Sequence, residues 1–392
     1  MHGIPPMYVT SPARRGRIPA ACLLAFVVVL PLGSLPVLGQ TPKTASSPLA
    51  ISGDLRLRYE EDWDSQNAAG AERPDRTRGR MRARVSATYT LDPSWTAGLR
   101  IRTGNTHSQQ SPHLTFASDD GARDDLEFVL DRYFVQYKQG EVTAWAGRNA
   151  WPFWQQNEFF WDDDVTPTGL SGSYETTAGR GKLTSVIAAF ALPDGGFGLN
   201  GTHVGGQVRY TAPLGDGQFT LAAALHQLDG SAGPDDLRNR NGERDYLLGA
   251  FSGQWSAPVG GRPLTLGVDV FNNFEDYSPA DTAPLPATQA DETLGYVLSA
   301  QYGALKQPGD WQIGYYYAHI ETFAVNASFA QDDWVRWGSA TQTDGTDGKG
   351  HEFRASYVLT KTLNVVARLF VVDAITSVQD GKRFRLDLNW RF

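Results

Sequence analysis

From Arg76 to Arg84 an arginine stands at every second position: Arg76, Arg78, Arg80, Arg82 and Arg84. A guanidinium keeps its proton throughout the physiological range and presents five donors in a flat fork. It is suited to holding and sorting anions rather than to moving protons. The same spacing recurs at Arg56 and Arg58, at Arg100 and Arg102, and at Arg383 and Arg385, with Arg132 and Arg148 on segments of their own. A spacing of two places side chains on one face of a β-strand. The chemistry on offer is therefore electrostatic, a wall of positive charge that steers anions. The plainer reading is that carboxylates pair with these arginines and stiffen the wall, and both readings can hold together.

Other chemical signals are weaker. Gly196 to Gly201 spells a dinucleotide-binding fingerprint but opens no helix, so it reads as a turn. His351-Glu352 lacks a second histidine, and Asp332-Asp333, Asp344 and Asp347 miss the spacing of a calcium loop. His203, His226 and His319 fall on alternating segments with no nucleophile elbow anywhere. A hydrolase with a Ser–His pair on its outer wall stays open as an alternative. No metal, no cofactor and no catalytic residue is expected.

The elements that carry the arginines are strands. Within Arg76–Leu91 the even positions continue with Ser86, Thr88 and Thr90, and the odd ones are Met81, Ala83, Val85, Ala87, Tyr89 and Leu91. Arg383, Arg385, Asp387, Asn389 and Arg391 alternate with Phe384, Leu386, Leu388, Trp390 and Phe392. Leu126–Lys138 is less regular and predicts a bulge near Asp131. Short turns, such as Asp92-Pro93, Gly140 and Gly215-Asp216-Gly217, alternate with long polar loops near 61–75, 104–124, 149–167, 193–200, 229–243, 273–290, 321–348 and 373–381. That rhythm predicts an all-β fold, a transmembrane antiparallel barrel of about 16 strands with short periplasmic turns and long extracellular loops.

Composition agrees. The chain carries 41 glycines and one cysteine, Cys22, and its net charge of −8 argues against nucleic acid. Residues 1–39 read as an export signal: Arg14, Arg15 and Arg17 precede an apolar run from Ala20 to Leu32, and Val37-Leu38-Gly39 ends it. Residues 40–50 would be a short periplasmic segment and 51–392 the barrel. No later stretch reaches the roughly 20 apolar residues of a spanning helix, so a membrane location requires a closed barrel. On the lipid face Arg80, Arg82 and Arg84 would each cost about 2–4 kcal/mol near the midplane. Together that rivals the stability of a whole domain. They are expected to face inward.

The third long loop, 149–167, is too aromatic for a solvated tip. Trp151, Phe153, Trp154, Phe159, Phe160 and Trp161 need a surface to bury against. Folded into the lumen, it would bring Glu158, Asp162, Asp163 and Asp164 towards the arginines as an acidic side of a constriction; the plainer reading is a cap over the rim. Inward glycines and alanines (Gly98, Gly205, Ala222, Ala224, Gly267, Gly295, Gly314) are expected to leave room for water. Tyr89, Trp95, Trp311, Tyr315, Tyr317, Trp390 and Phe392 are candidates for aromatic girdles at the lipid interfaces.

The stretch LEFVLDRYFVQYK followed by AWAGRNAWPFWQQNEFFWDDDVTPTGLSGSY, with SGDLRLRYE, RGRMRARVSATYTLDPSWTAGLRIRTGN and SQQSPHLTF before it, resembles the putative-porin family of Gram-negative outer membranes. The likeness covers about residues 51–175; beyond it only the rhythm and the QDDW segment Gln331–Trp334 match. It implies passive transport in the cell outer membrane, with membrane lipid and small hydrophilic solutes as partners. The terminal Phe392 is similar to the signal read by barrel-assembly machinery. Some relatives carry a coiled-coil segment before the barrel, for which only Gln40–Ala50 is available here. With the arginines, the expectation is a diffusion pore for small hydrophilic, anionic solutes. An exporter of acidic polysaccharide, similar in its opening RLRYE, and a plugged structural or adhesive barrel are the alternatives.

Overall fold

The computed structural model describes residues 47–105, 110–192, 201–230, 244–279, 281, 286–334 and 345–392. The export segment 1–39, most of the stretch 40–50, the fingerprint glycines Gly196 and Gly198, and Asp344 lie outside the described residues.

Sixteen long strands form one closed antiparallel barrel. They are β1 (Leu49–Trp63), β2 (Arg76–Thr90), β3 (Trp95–Thr103) and β4 (Phe128–Gln139). Then come β5 (Val142–Arg148), β6 (Thr168–Ala178), β7 (Gly181–Ala191) and β8 (Gly201–Leu214). The third quarter is β9 (Gly217–Gly230), β10 (Tyr246–Val259), β11 (Arg262–Asn273) and β12 (Leu294–Gly303). The last is β13 (Trp311–Ile320), β14 (Gly348–Val358), β15 (Leu363–Ala374) and β16 (Asp380–Arg391). Each strand pairs with the next, and β16 returns to β1 with Arg56 opposite Asn389 and Arg58 opposite Asp387. A short strand, Leu114–Ser118, extends the wall beside β2 at Arg78–Met81.

Turns at one end are tight. Gly140 and Gly215 hold φ at 55° and 59°, the left-handed geometry that two-residue hairpin turns require. Loops at the other end are long, except 375–379 before β16, which is scarcely more than a turn.

Two local features follow from the sequence. Arg100 pairs with Arg132 but Ile101 with Leu130, so Asp131 is the extra residue of a bulge, at the expected place. At the seam, the Gly53 N–H donates to the Phe392 carbonyl at 3.0 Å and the Phe392 N–H returns the bond at 3.1 Å. A Cβ on Gly53 would sit 2.4 Å from the Phe392 ring, so only glycine seats that terminal aromatic.

The two faces separate as a barrel in lipid requires. Leu57, Tyr59, Val85, Leu99, Ile101, Ile187, Leu225 and Phe251 are exposed on the outside. Arg58, Arg80, Arg82, Arg100, Arg102, Arg383 and Arg385 are buried within. Aromatic pairs band the outer surface near the tight turns: Trp95 with Tyr137, Tyr210 with Phe219, Tyr302 with Trp311, and Trp390 with Phe392. The main hydrophobic core lies inside the lumen, where loop residues such as Trp161, Val165, Phe329 and Trp334 pack on wall residues such as Leu248, Phe271, Val297 and Phe370.

Candidate functional site

The arginines occupy one sector of the inner wall, formed by β16 and β1 to β5, and cross-strand register supplies most of their partners. Arg58 grips Asp387, its partner across the seam, with Nε at 2.7 Å and Nη2 at 3.0 Å. Glu60 accepts Arg385 Nε at 2.7 Å and a bond from Arg78, and lies 3.7 Å from Arg80. Asp62 joins Arg383 at 2.6 Å to Arg76 at 2.7 Å. The bulge turns Asp131 onto Arg100, at 3.0 Å to Nε, and places it 3.7 Å from Arg102. Arg148 donates to the carbonyl and hydroxyl of Thr166 at 3.1 and 2.9 Å.

Two arginines are held less tightly. Arg56 donates to the Asn389 side chain at 2.7 Å and its nearest carboxylate, Asp387, is 3.8 Å away. Arg132 makes no hydrogen bond or ion pair among the described residues, and its Nε is buried without an acceptor.

The third long loop, 149–167, enters the lumen because the opposite wall is apolar. Trp151 stacks on Trp161 at 4.1 Å and lies 5.2 Å from His203, and Phe153 meets His226 edge-on at 4.7 Å. The two histidines bond to one another at 3.0 Å. Gln207 clasps the Trp154 backbone through two bonds of 2.8 and 2.9 Å, and Gln156 and Asn157 donate to Asp269 at 3.0 and 2.7 Å. Behind the loop a small cleft lies between Phe153, Phe160 and Gln156 on the loop and Gln207, Ala224 and Ser252 on the wall.

Of the loop's four acids, Asp164 reaches the arginines, at 2.8 Å from Arg84 and 3.1 Å from Arg82, with Asp54 bonded to both from β1. Burial opposes its ionisation, but Arg82 and Arg84 outweigh it and hold the carboxyl at about 2. Glu158, Asp162 and Asp163 have no ion pair among the described residues. Burial, then the charge of Asp163, pushes Glu158 up to about 8. Burial likewise raises Asp162, and the adjacent Asp164 raises Asp163. Asp162, Asp163 and Asp164 bring one oxygen each within 4.8 Å of the others, but Asp164 is already committed to two arginines.

A second loop, the segment 321–334, also folds inward, which the sequence reading did not foresee. It binds the first through Gln331 N–H to Glu158 O at 2.9 Å and Asp162 N–H to Phe329 O at 2.7 Å. Trp161 stacks on Phe329 at 5.0 Å, and Phe159 meets Trp334 at 4.7 Å. Asp333 bonds Arg385 and Arg368, lies 3.8 Å from Arg58, and offers its backbone oxygen to Arg383 at 2.7 Å. Glu352 on β14 holds Arg368 at 2.8 Å and Arg354 at 2.7 Å. The signals for these partners were an acid two residues from an arginine, as in Arg58-Tyr59-Glu60, and the QDDW segment itself.

Of the small inward residues, Ala222 and Ala224 line the cleft behind the loop, whereas several of the glycines are taken up by neighbouring side chains. A Cβ on Gly98 would meet Phe134, one on Gly267 would meet Gln156, and one on Gly295 would crowd Ala324. They make space for side chains and loops. Solvent instead reaches Arg56, Arg84 and Arg354, whose side chains keep 24%, 15% and 32% of their surface, and Asp163 on the loop.

A family model described as putative porin matches residues 69–203 and 263–392. Among curated proteins none matches by sequence. Two similar solved structures are OprB of Pseudomonas putida and OmpF of Salmonella typhi in complex with daunomycin. The first has a TM-score of 0.56 at 12% identity over 88% of this chain and 94% of that one. The second has 0.52 at 12% identity over 88% and 97%. At such identity they speak to the fold, an outer-membrane barrel.

Proposed function

The chain belongs to the putative-porin family of outer-membrane channels, and on that premise we propose that it passes small hydrophilic solutes by passive diffusion and favours anions. The passage is arginine-lined and narrowed by the third extracellular loop. One observation carries the anion preference: Arg132 has no partner among the described residues, and Arg56 is answered mainly by an uncharged amide. Fixed positive charge beside a narrow aqueous path raises the local concentration of anions. On the loop side Glu158, pushed up to about 8, is mostly uncharged at neutral pH, and the exposed Asp163 is left to offset part of it. No chemical step is involved, since the concentration gradient supplies the drive.

Residues 1–39 would direct export and be removed, and Phe392 would present the end of the chain to the assembly machinery before it seats on Gly53 at closure. The test is the reversal potential of purified protein in a planar bilayer under a salt gradient. It should lie on the anion side. Arg56→Ala with Arg132→Ala should lower the anion-to-cation permeability ratio by about twofold or more, since one charge acting at close range through water is worth roughly 0.5–1 kcal/mol. A cation-side potential in the wild type, or no change in the double variant, defeats the anion preference. A complete lack of conductance would support the plugged barrel instead.

A further inference from the structure

We infer that Arg58, Arg368 and Arg385 form a binding site for the carboxylate of a small organic acid in transit, and that the Asp333 side chain fills this site while no solute is present. The inference rests on the anion-pore reading and narrows it to a substrate class.

Three guanidiniums from three strands, β1, β15 and β16, converge on one carboxylate. Arg385 bonds its Oδ1, which also lies 3.8 Å from Arg58, and Arg368 bonds its Oδ2. Planar forks meeting a planar, singly charged acceptor are the geometry by which proteins recognise carboxylates. The occupant differs from the other acids of this wall. Glu60, Asp62, Asp131 and Asp387 belong to strands and cannot leave without breaking the barrel ladder. Asp333 belongs to a loop, and loops open at lower free energy than strands. The third loop repeats the arrangement, with Asp164 held by Arg82 and Arg84.

Donors also outnumber acceptors here. The Nε of Arg80, the register partner of Arg58, is buried without an acceptor. A visiting acid would bring oxygens for such donors. Exchange of one carboxylate for another leaves the charge balance of the site intact, so the arginines never stand unpaired in a poorly hydrated place. A dianion such as phosphate would add a negative charge beside Glu60 and Glu352, both buried. The arrangement therefore selects monocarboxylates.

The internal occupant lowers apparent affinity by the fraction of time it fills the site. Bilayer currents in chloride, with acetate added at constant ionic strength as the probe, test this on the full chain. In Asp333→Asn, acetate should reduce the chloride current saturably, with half-effect at a concentration about tenfold or more below that of the wild type. Equal half-effects, with the reversal potential still on the anion side, overturn this inference and leave the anion reading standing. A cation-side potential overturns both. If Asp333→Asn does not assemble, Asp333→Gly refolded in acetate should recover folded barrel that chloride at equal strength does not; equal recovery in the two salts also overturns it.

Discussion

The lumen has two unlike walls, and each makes a different demand on the rest of the chain. The wall of β16, β1, β2 and β3 is filled with arginines and strand-borne acids, so its contacts are fixed by register. The wall from β9 to β13, with β15, presents Leu228, Leu248, Phe271, Val297, Ile320 and Phe370 to the interior. An apolar inner surface is unstable against water, and the loops 149–167 and 321–334 cover it. The apolar wall therefore supplies the free energy that holds the loops in place. The charged wall meets them through Asp164 and Asp333, each held by two arginines. Buried ion pairs add little net stability by themselves, since desolvation cancels much of their attraction, but they are costly to break singly.

The largest effect should come from breaking the charged wall. Glu60 is fully buried and answers Arg78 and Arg385, with Arg80 close by. Glu60→Ala leaves these cations facing one another and should cost about 3–5 kcal/mol, read as an earlier midpoint in urea unfolding of the refolded barrel. A midpoint equal to wild type would mean that water replaces the carboxylate, and that the wall is wetter than its burial implies.

Next comes the apolar side. Phe329 is fully buried, and its ring stacks on Trp161 where the two loops join. Phe329→Ala should cost roughly 3 kcal/mol of packing. The barrel strands would keep their ladders, so the loss should appear as faster protease cleavage within 321–334 and a higher single-channel conductance. An unchanged conductance would show that the loops do not limit the passage.

The two walls were unequally legible in the sequence. Arginines two apart announce their strand and their face, and the energy of lipid exposure forces them inward. The bulge at Asp131 also showed as a break in alternation. Partners were harder, because pairing Glu60 with Arg385 requires the closing register between the first and last strands, which alternation alone does not contain. The covered wall had left a signal. Val365–Val372 is apolar at nearly every position, as is Val186–Ala191, and a strand apolar on both faces is buried on both. The small inward residues suggested a wet lumen; these runs, read for their inward residues, call for a loop to cover them. Which loop answers is written in the aromatics of 149–167, but 321–334 carries a milder composition and its role depends on contacts far away in sequence.

The smallest effect lies at the boundary between the two walls, where Glu158 sits in the joint of the two loops. Burial, then the charges of Asp163 and Asp333, raise its carboxyl to about 8, against the pull of Arg368. For an acid whose value is raised on folding, the protonated form favours the docked loop. That contribution is fully present below the ordinary carboxylate range, near 4.5, and is lost as pH rises through 8. Between pH 6 and pH 9, Glu158 should gain its charge while Arg56 and Arg132 keep theirs. One added negative charge acting over about 8 Å, screened as in water, is worth roughly 0.5 kcal/mol, or about a twofold fall in local anion concentration. The reversal potential should move towards the cation side over this interval. Asp332, raised to about 6 by burial and by Asp333, would begin the same drift at lower pH. Glu158→Gln should remove the part of the shift centred near 8 and leave the part near 6. A variant that keeps the full alkaline shift would place the responsible charge elsewhere, and the joint between the loops would then be a structural seam with no part in selectivity.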